Sequence, residues 1–131
     1  MSTETLSKGE RLNAKKQIED LFRSSNAYGK NPFRIIWKVK DVEDEISGVK
    51  ILVAVPKRKV KKAVQRNRIK RMVREVYRRN KKEINTFIKN KNKECHMGIL
   101  FVGNPMTTFD SIEKCISDLL KRFPLEYERF T

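Results

Sequence analysis

The chain has 131 residues, with 31 Lys and Arg against 16 Asp and Glu, a net charge of +15 and a pI near 10.1. That length makes one domain with enough chain for a core. No apolar run approaches the ~18 residues that would cross a bilayer, so no membrane partner is expected. Cys95 and Cys115 are too few for a disulfide framework or a zinc spacing. The opening MSTETLSKGER lacks an apolar signal core. A reduced, cytoplasmic setting is the expectation.

Residues 1–8 read as a flexible leader and 9–131 as a single domain. Asn13 is a candidate helix cap, and Ala14, Ile18, Leu21 and Phe22 follow at helical spacing as far as Arg23. Ser24, Ser25, Asn26 and Gly29 then break the pattern. Phe33, Ile35, Trp37 and Val39 alternate with Arg34, Ile36, Lys38 and Lys40, which predicts a strand with one apolar face. Trp37 shares parity with Phe33 and belongs to the core. Residues 41–45 carry four acids and Gly48 follows, which reads as a solvated hairpin loop that would repel a nucleic acid.

Val49–Val55 is a buried strand ended by Pro56, since proline cannot donate to a ladder. A basic helix follows. Residues 82–92 read as a second helical segment with Ile84, Phe87 and Ile88 inward. Residues 97–102 form a third buried strand, with Cys95 and His96 in the turn before it. Thr107 or Thr108 caps a last helix, with Asp110 in its first turn and Phe109, Ile112, Ile116, Leu119, Leu120 and Phe123 on its core stripe; Pro124 is expected to stop it. The predicted class is α+β, one small and mainly antiparallel sheet with helices packed on it.

The stretch Lys57–Lys82 sets this chain apart. It holds 14 of the 31 basic residues against one acid, Glu75, while the rest carries 17 basic and 15 acidic residues. At ~100° per residue, Ile69, Met72, Val73, Val76 and Tyr77 face the sheet and Asn67, Arg71, Arg74 and Arg78 face away. Arg66 and Arg68 sit on the flanks, and Lys70 borders the apolar stripe. The outward stripe spans about 16 Å, the reach of a few phosphates. Arg66/Lys70, Lys70/Arg74 and Arg74/Arg78 are like charges at a spacing that destabilises a helix. Glu75 can pair with Arg71 and Arg79 but offsets little of this. A solvated face would not need such repulsion; a bound polyanion explains it. Phe22 is a core-spaced helix residue that could instead stack on a base.

No catalytic constellation is present in the polypeptide. The acids do not converge from several elements, His96 has no second ligand at metal spacing, and there is no phosphate-binding glycine loop. Neither a catalytic residue, nor a metal or cofactor on the protein, nor a small-molecule substrate is expected. A structural RNA-binding protein, a DNA-binding regulator and a protein-only nuclease are the competing classes. The second lacks dimerisation heptads and the third lacks a carboxylate cluster.

Lys57-Arg58, followed after a basic turn by Ala63-Val64-Gln65-Arg66-Asn67-Arg68-Ile69-Lys70-Arg71, resembles the bacterial ribonuclease P protein component. The resemblance extends over nearly the whole chain, from the Arg11-Leu12 entry to the first helix, through Phe22 and the Phe33 strand, to the closing strand and helix. It implies an α/β sandwich also found in a ribosomal protein, with a left-handed crossover that the residue pattern alone does not show. It implies the protein subunit of a ribonucleoprotein that removes the 5′ leader from precursor tRNA. The RNA subunit would carry the chemistry and its magnesium ions. By the same resemblance, Arg66, Asn67 and Arg68 would face the catalytic RNA, with Lys57 and Arg58 nearby; Lys70, Arg71 and Arg74 would border that RNA or the leader phosphates, and Arg78 joins the RNA-binding set. Phe22, Arg34, Ile36 and Arg11 would line the leader cleft. Two positions depart from the family pattern. Ile18 stands where many members have an aromatic residue, and Pro56 where a small one is usual.

Overall fold

The computed structural model describes residues 10–24, 26–42, 48–103 and 107–130. Among these, three helices and four strands run in the order α1 (Lys15–Ser24), β1 (Asn26–Lys30), β2 (Phe33–Asp41), β3 (Gly48–Ala54), α2 (Ala63–Asn90), β4 (Lys93–Phe101) and α3 (Phe109–Phe130). The sheet order is β1-β2-β4-β3. The β1–β2 and β2–β4 pairs are antiparallel and β3–β4 is parallel, so the sheet is mainly antiparallel.

Strand parity divides the molecule into layers. Phe33, Ile35 and Trp37 of β2, Val49, Ile51 and Val53 of β3, and Cys95, Met97, Ile99 and Phe101 of β4 point to one face, where they meet the apolar sides of α2 and α3. On the other face Leu12, Leu21 and Ile36 form a smaller cluster joined by Ile18, Ala27, Leu52 and Leu100. This is the floor beneath α1. Gly98 makes that packing possible. A Cβ there would lie 2.9 Å from Ile36 Cγ1 and 3.4 Å from a Leu21 methyl.

Several boundaries differ from the sequence expectation, each for a tertiary reason. Asn26–Lys30 is a strand, although it is short, polar and carries Gly29. Tyr28 Oη donates to the Leu119 carbonyl at 2.6 Å, and Lys30 pairs with Asp118 at 3.6 Å. Helix α3 thus holds β1 in place. Strands β2 and β3 are not a hairpin, because β4 lies between them; of the acidic connection, residues 43–47 lie outside the described residues. The segment at 82–92 is not a separate helix but the continuation of α2, which ends at Asn90, is capped by Lys91 and turns through Asn92 at φ 58°. Strand β4 begins at Lys93, which places Cys95 and His96 inside it and buried.

Pro124 does not stop α3. The helix continues because Tyr127, beyond the proline, stacks against Trp37 at 5.7 Å and edges onto Phe87 at 5.3 Å. A ring cluster of that area outweighs one missing backbone hydrogen bond. At the other end of α3, Ser111 N–H donates to Thr108 Oγ1 at 3.2 Å, so Thr108 is the cap. At α1 the cap position falls on Ala14, whose carbonyl accepts the Ile18 N–H, rather than on Asn13. Gly48 opens β3 at φ +116°, and a Cβ there would meet Asn85 Oδ1 at 2.7 Å. That same oxygen accepts the Val49 N–H at 2.9 Å and ties β3 to α2.

Candidate nucleic-acid interface

The basic turn between β3 and α2 is a built structure. Pro56 accepts hydrogen bonds through its carbonyl from the N–H groups of Lys59 and Val60, at 3.0 and 3.1 Å. Val60 is fully buried and anchors the turn, leaving Lys57, Arg58, Lys59, Lys61 and Lys62 exposed around it. Arg66 reaches back and donates one guanidinium nitrogen to the carbonyls of Val60 and Lys61, at 3.0 and 2.8 Å. It clamps the turn to the helix and keeps its other nitrogens for a ligand. Val64, in the first turn of α2, is 80% exposed.

Helix α2 starts at Ala63 behind Lys62, which provides no side-chain cap, and its first turn has no acid. The positive end of the helix dipole therefore adds to the lysine charge instead of being offset. Asn67, Arg68 and Arg71 are exposed, and Lys70 and Arg74 are half-buried. Among the described residues no Lys or Arg from 57 to 74 has a carboxylate partner.

The pattern changes at Glu75. Its carboxylate takes a two-pronged hydrogen bond from Arg78, at 2.6 and 3.0 Å, and another from Arg79 at 3.0 Å. These bonds and charges hold Glu75 below the usual carboxylate range. The expected Glu75–Arg71 pair does not form; Arg78 takes that place, so Arg71 points outward and Arg78 is engaged. Arg79 also reaches Glu113 on α3 at 3.3 Å, and Lys81 pairs with Glu10 at 3.0 Å.

The second part of the surface is the α1 face of the sheet. Phe22 is 51% exposed, whereas Leu21 beside it is 0% exposed. Leu21 therefore holds the core position, and Phe22 is presented at the rim. Arg34 is exposed and stands opposite Leu100 of β4. Ile36 shares its strand face but is 6% exposed, part of the floor under α1. Arg11 lies at the free edge of β3, bridged to Ile51.

Beyond α1 the same face turns polar, a region that sequence reasoning passed over. Lys38 and Lys50 flank His96 in register, and Lys40 flanks Glu94. His96 and Glu94 are buried and share a 2.6 Å hydrogen bond, with Lys50 3.5 Å from Glu94. Burial holds the His96 pKa below its ordinary value; Glu94 opposes this, and Lys40 and Lys50 reinforce it. The alternation that placed Arg34 and Ile36 on one face already placed Lys38 and Lys40 with them. The register of β4 was needed to add His96.

Among the described residues no three His, Cys, Asp or Glu side chains converge to hold a metal ion, and no helix is long and apolar enough to cross a membrane. A concentrated cationic surface, without carboxylate partners among the described residues, on a mixed sheet-and-helix scaffold defines a polyanion-binding α+β domain. The ribonuclease P family pattern matches residues 6–124. A ribonuclease P protein component of Porphyromonas gingivalis is 31% identical over 117 residues, which cover 89% of this chain and 85% of that protein. Among solved structures, the RNase P protein of Thermotoga maritima superposes with a TM-score of 0.68 at 23% identity, over 87% of this chain and 97% of that one. That of Staphylococcus aureus gives 0.68 at 18% identity, over 86% and 93%. The chain belongs to the ribonuclease P protein family and is a protein subunit of that tRNA-processing ribonuclease. Family membership implies the ribonuclease P RNA as its partner.

Proposed function

We propose that this subunit binds the catalytic RNA through residues 57–71 and the 5′ leader of precursor tRNA through the α1 face of the sheet, in the cytoplasm, while the RNA performs the cleavage. Lys57, Arg58, Arg68 and Arg71 supply phosphate contacts, Arg66 fixes the turn that presents them, and Asn67 adds a neutral donor and acceptor between two arginines. Lys70 borders this set, and Arg78 stands at its far margin. Phe22 at the groove rim offers a ring face for one unstacked base, and Arg34 and Arg11 offer charge for the adjoining phosphates. Ile36 acts as the groove floor. Magnesium belongs to the RNA, and the polypeptide supplies no catalytic group.

The observation that carries this reading is the charge from Lys57 to Arg74 that has no carboxylate partner among the described residues, because a helix tolerates such repulsion best with an anion against it. Single-stranded leader can be held by stacking and backbone contacts with little base preference. The test is cleavage of a leader-bearing precursor by a matched ribonuclease P RNA at low magnesium, with and without the protein. Stimulation that requires both molecules is expected. RNA binding without any stimulation would mean a structural RNA-binding role, and cleavage by the protein alone would mean a protein nuclease.

A further inference from the structure

Helix α1, which carries Phe22, packs against β2 and β4 rather than against either long helix. Its seat there is the small apolar floor of Leu12, Leu21 and Ile36. Apolar contact is non-directional, so it does not by itself fix where α1 lies along the sheet. Polar contacts just before the helix do so. Leu12 N–H donates to the Ile51 carbonyl at 2.7 Å, and Arg11 bridges to Ile51 in parallel. These set the register of the segment along the outer edge of β3. Two residues before Leu12, the Glu10 carboxylate accepts from Lys81 Nζ with both oxygens, at 3.0 and 3.1 Å, across 71 residues of sequence.

The Lys81 and Glu10 side chains are only 12% and 25% exposed. Salt therefore screens this pair less than a surface pair, and removing one partner leaves the other charge poorly solvated. Lys81 is itself anchored. Asn85 Nδ2 donates to its carbonyl at 2.9 Å, and Asn85 Oδ1 accepts the Val49 N–H at 2.9 Å. One turn of α2 thus fastens both the start of β3 and the segment that leads into α1. About two turns earlier on the same helix, at ~3.6 residues each, Arg74 ends the run of cations without carboxylate partners among the described residues.

We propose that Glu10 and Lys81 are positioning residues whose ion pair fixes the α1 groove relative to the RNA-facing half of α2. The two surfaces lie on elements that pack on the sheet and not on each other, and the pair joins them. A leader in the groove and the catalytic RNA on the helix are then held in one geometry, although neither Glu10 nor Lys81 touches either RNA. The inference rests on the functional reading above.

The experiment uses the full chain assembled with a matched ribonuclease P RNA. Glu10→Gln, Lys81→Met, the double variant and Lys81→Arg are compared with Glu128→Gln, which breaks the more exposed Lys91–Glu128 pair between α2 and α3. The double leaves no unpaired charge and stays foldable if a single variant does not. All are assayed below the lowest unfolding midpoint, for affinity to the RNA subunit and for the ratio of affinities for leader-bearing precursor and mature tRNA. Each single variant should lower that ratio about fivefold, the low end of ordinary coupling between two sites, with affinity for the RNA subunit unchanged. The double should lose no more than either single, because both remove one interaction. Lys81→Arg should keep most of the ratio, and Glu128→Gln all of it. A ratio retained while the melts fall would overturn the proposal, since the pair would then only stabilise the fold. Equal loss of affinity for the RNA subunit, losses that add in the double, or no rescue by Lys81→Arg would overturn it too. If the wild-type protein shows no preference for the leader-bearing precursor, the functional reading itself falls, and this inference with it.

Discussion

The two halves of α2 carry five basic residues each and use them differently. From Ala63 to Arg74 no cation has a carboxylate partner among the described residues, and Arg68 and Arg71 are exposed. From Glu75 onward the same helix ties Arg78, Arg79 and Lys81 to acids on α2, on α3 and on the segment before α1. Buried residues seat both halves, Ile69 and Val73 in the first and Val76, Tyr77, Ile84 and Ile88 in the second; only the second also spends its charges on internal pairs, which leaves those of the first for a ligand. Positive charge by itself therefore does not mark an interface; positive charge without an internal partner does. A similar division runs through α1, where adjacent residues Leu21 and Phe22 are fully buried and half-exposed.

The largest effect should separate the two halves of α2 outright. Replacing Arg66, Arg68 and Arg71 together by Ala should weaken binding of the ribonuclease P RNA by about two orders of magnitude and flatten its salt dependence, with Arg68→Ala alone costing about tenfold. The same three changes at Arg78, Arg79 and Lys81 should leave RNA affinity within about threefold and lower the unfolding midpoint instead. Filter binding across a salt series together with thermal melts checks both. Equal RNA losses from the two triples would erase the distinction.

Next comes the α1 pair. Leu21→Ala should destabilise the fold by about 2–5 kcal/mol, the usual range for a buried leucine. Phe22→Ala should leave the melt nearly unchanged and reduce affinity for leader-bearing precursor about five- to tenfold relative to mature tRNA. A Phe22→Ala variant that weakens both RNAs alike would remove Phe22 from the groove. A smaller change is expected from Glu75→Gln, which frees Arg78 and Arg79. RNA affinity should rise about twofold as these cations become available to phosphates, and a fall would show that Glu75 positions an RNA contact.

The smallest effect is on pH dependence. Burial lowers the His96 pKa, so the unfolded chain takes up the imidazole proton before the folded one does. The stability from neutral His96 is complete above the unfolded value of ~6.5. It declines as the pH falls below that value until folded His96 is protonated too. Melts between pH 7.5 and 5 should show this decline, and His96→Gln should make it shallower. An unchanged slope would mean that other groups set the acid sensitivity.

Much of this organisation was legible in local pattern. The period of two in Phe33–Lys40 separated core Trp37 from outward Arg34. The helical period identified five residues that seat α2, of which Ile69, Val73, Val76 and Tyr77 are buried and Met72 packs against the same core. The basic stretch was visible as charge density, and its R-N-R spacing carried the resemblance to a family that the comparisons bear out. The exposed state of Phe22 was not legible, because two adjacent apolar residues at helical spacing compete for one buried position, and only the width of the floor under α1 decides between them.

The sequence by itself determined which segments would bury an apolar face and where the charge would concentrate, because both are set by residue type and by spacings within a few turns or strand repeats. Tertiary structure alone decided the rest. It inserted β4 between β2 and β3, made a strand of polar Asn26–Lys30 by clamping it to α3, and carried α3 past Pro124 on the Tyr127 ring cluster. It also chose which cations to pair, tying Arg78 and Arg79 to Glu75 and Lys81 to Glu10. Each of these depends on groups distant in the chain arriving at one place, and no local periodicity encodes that arrival.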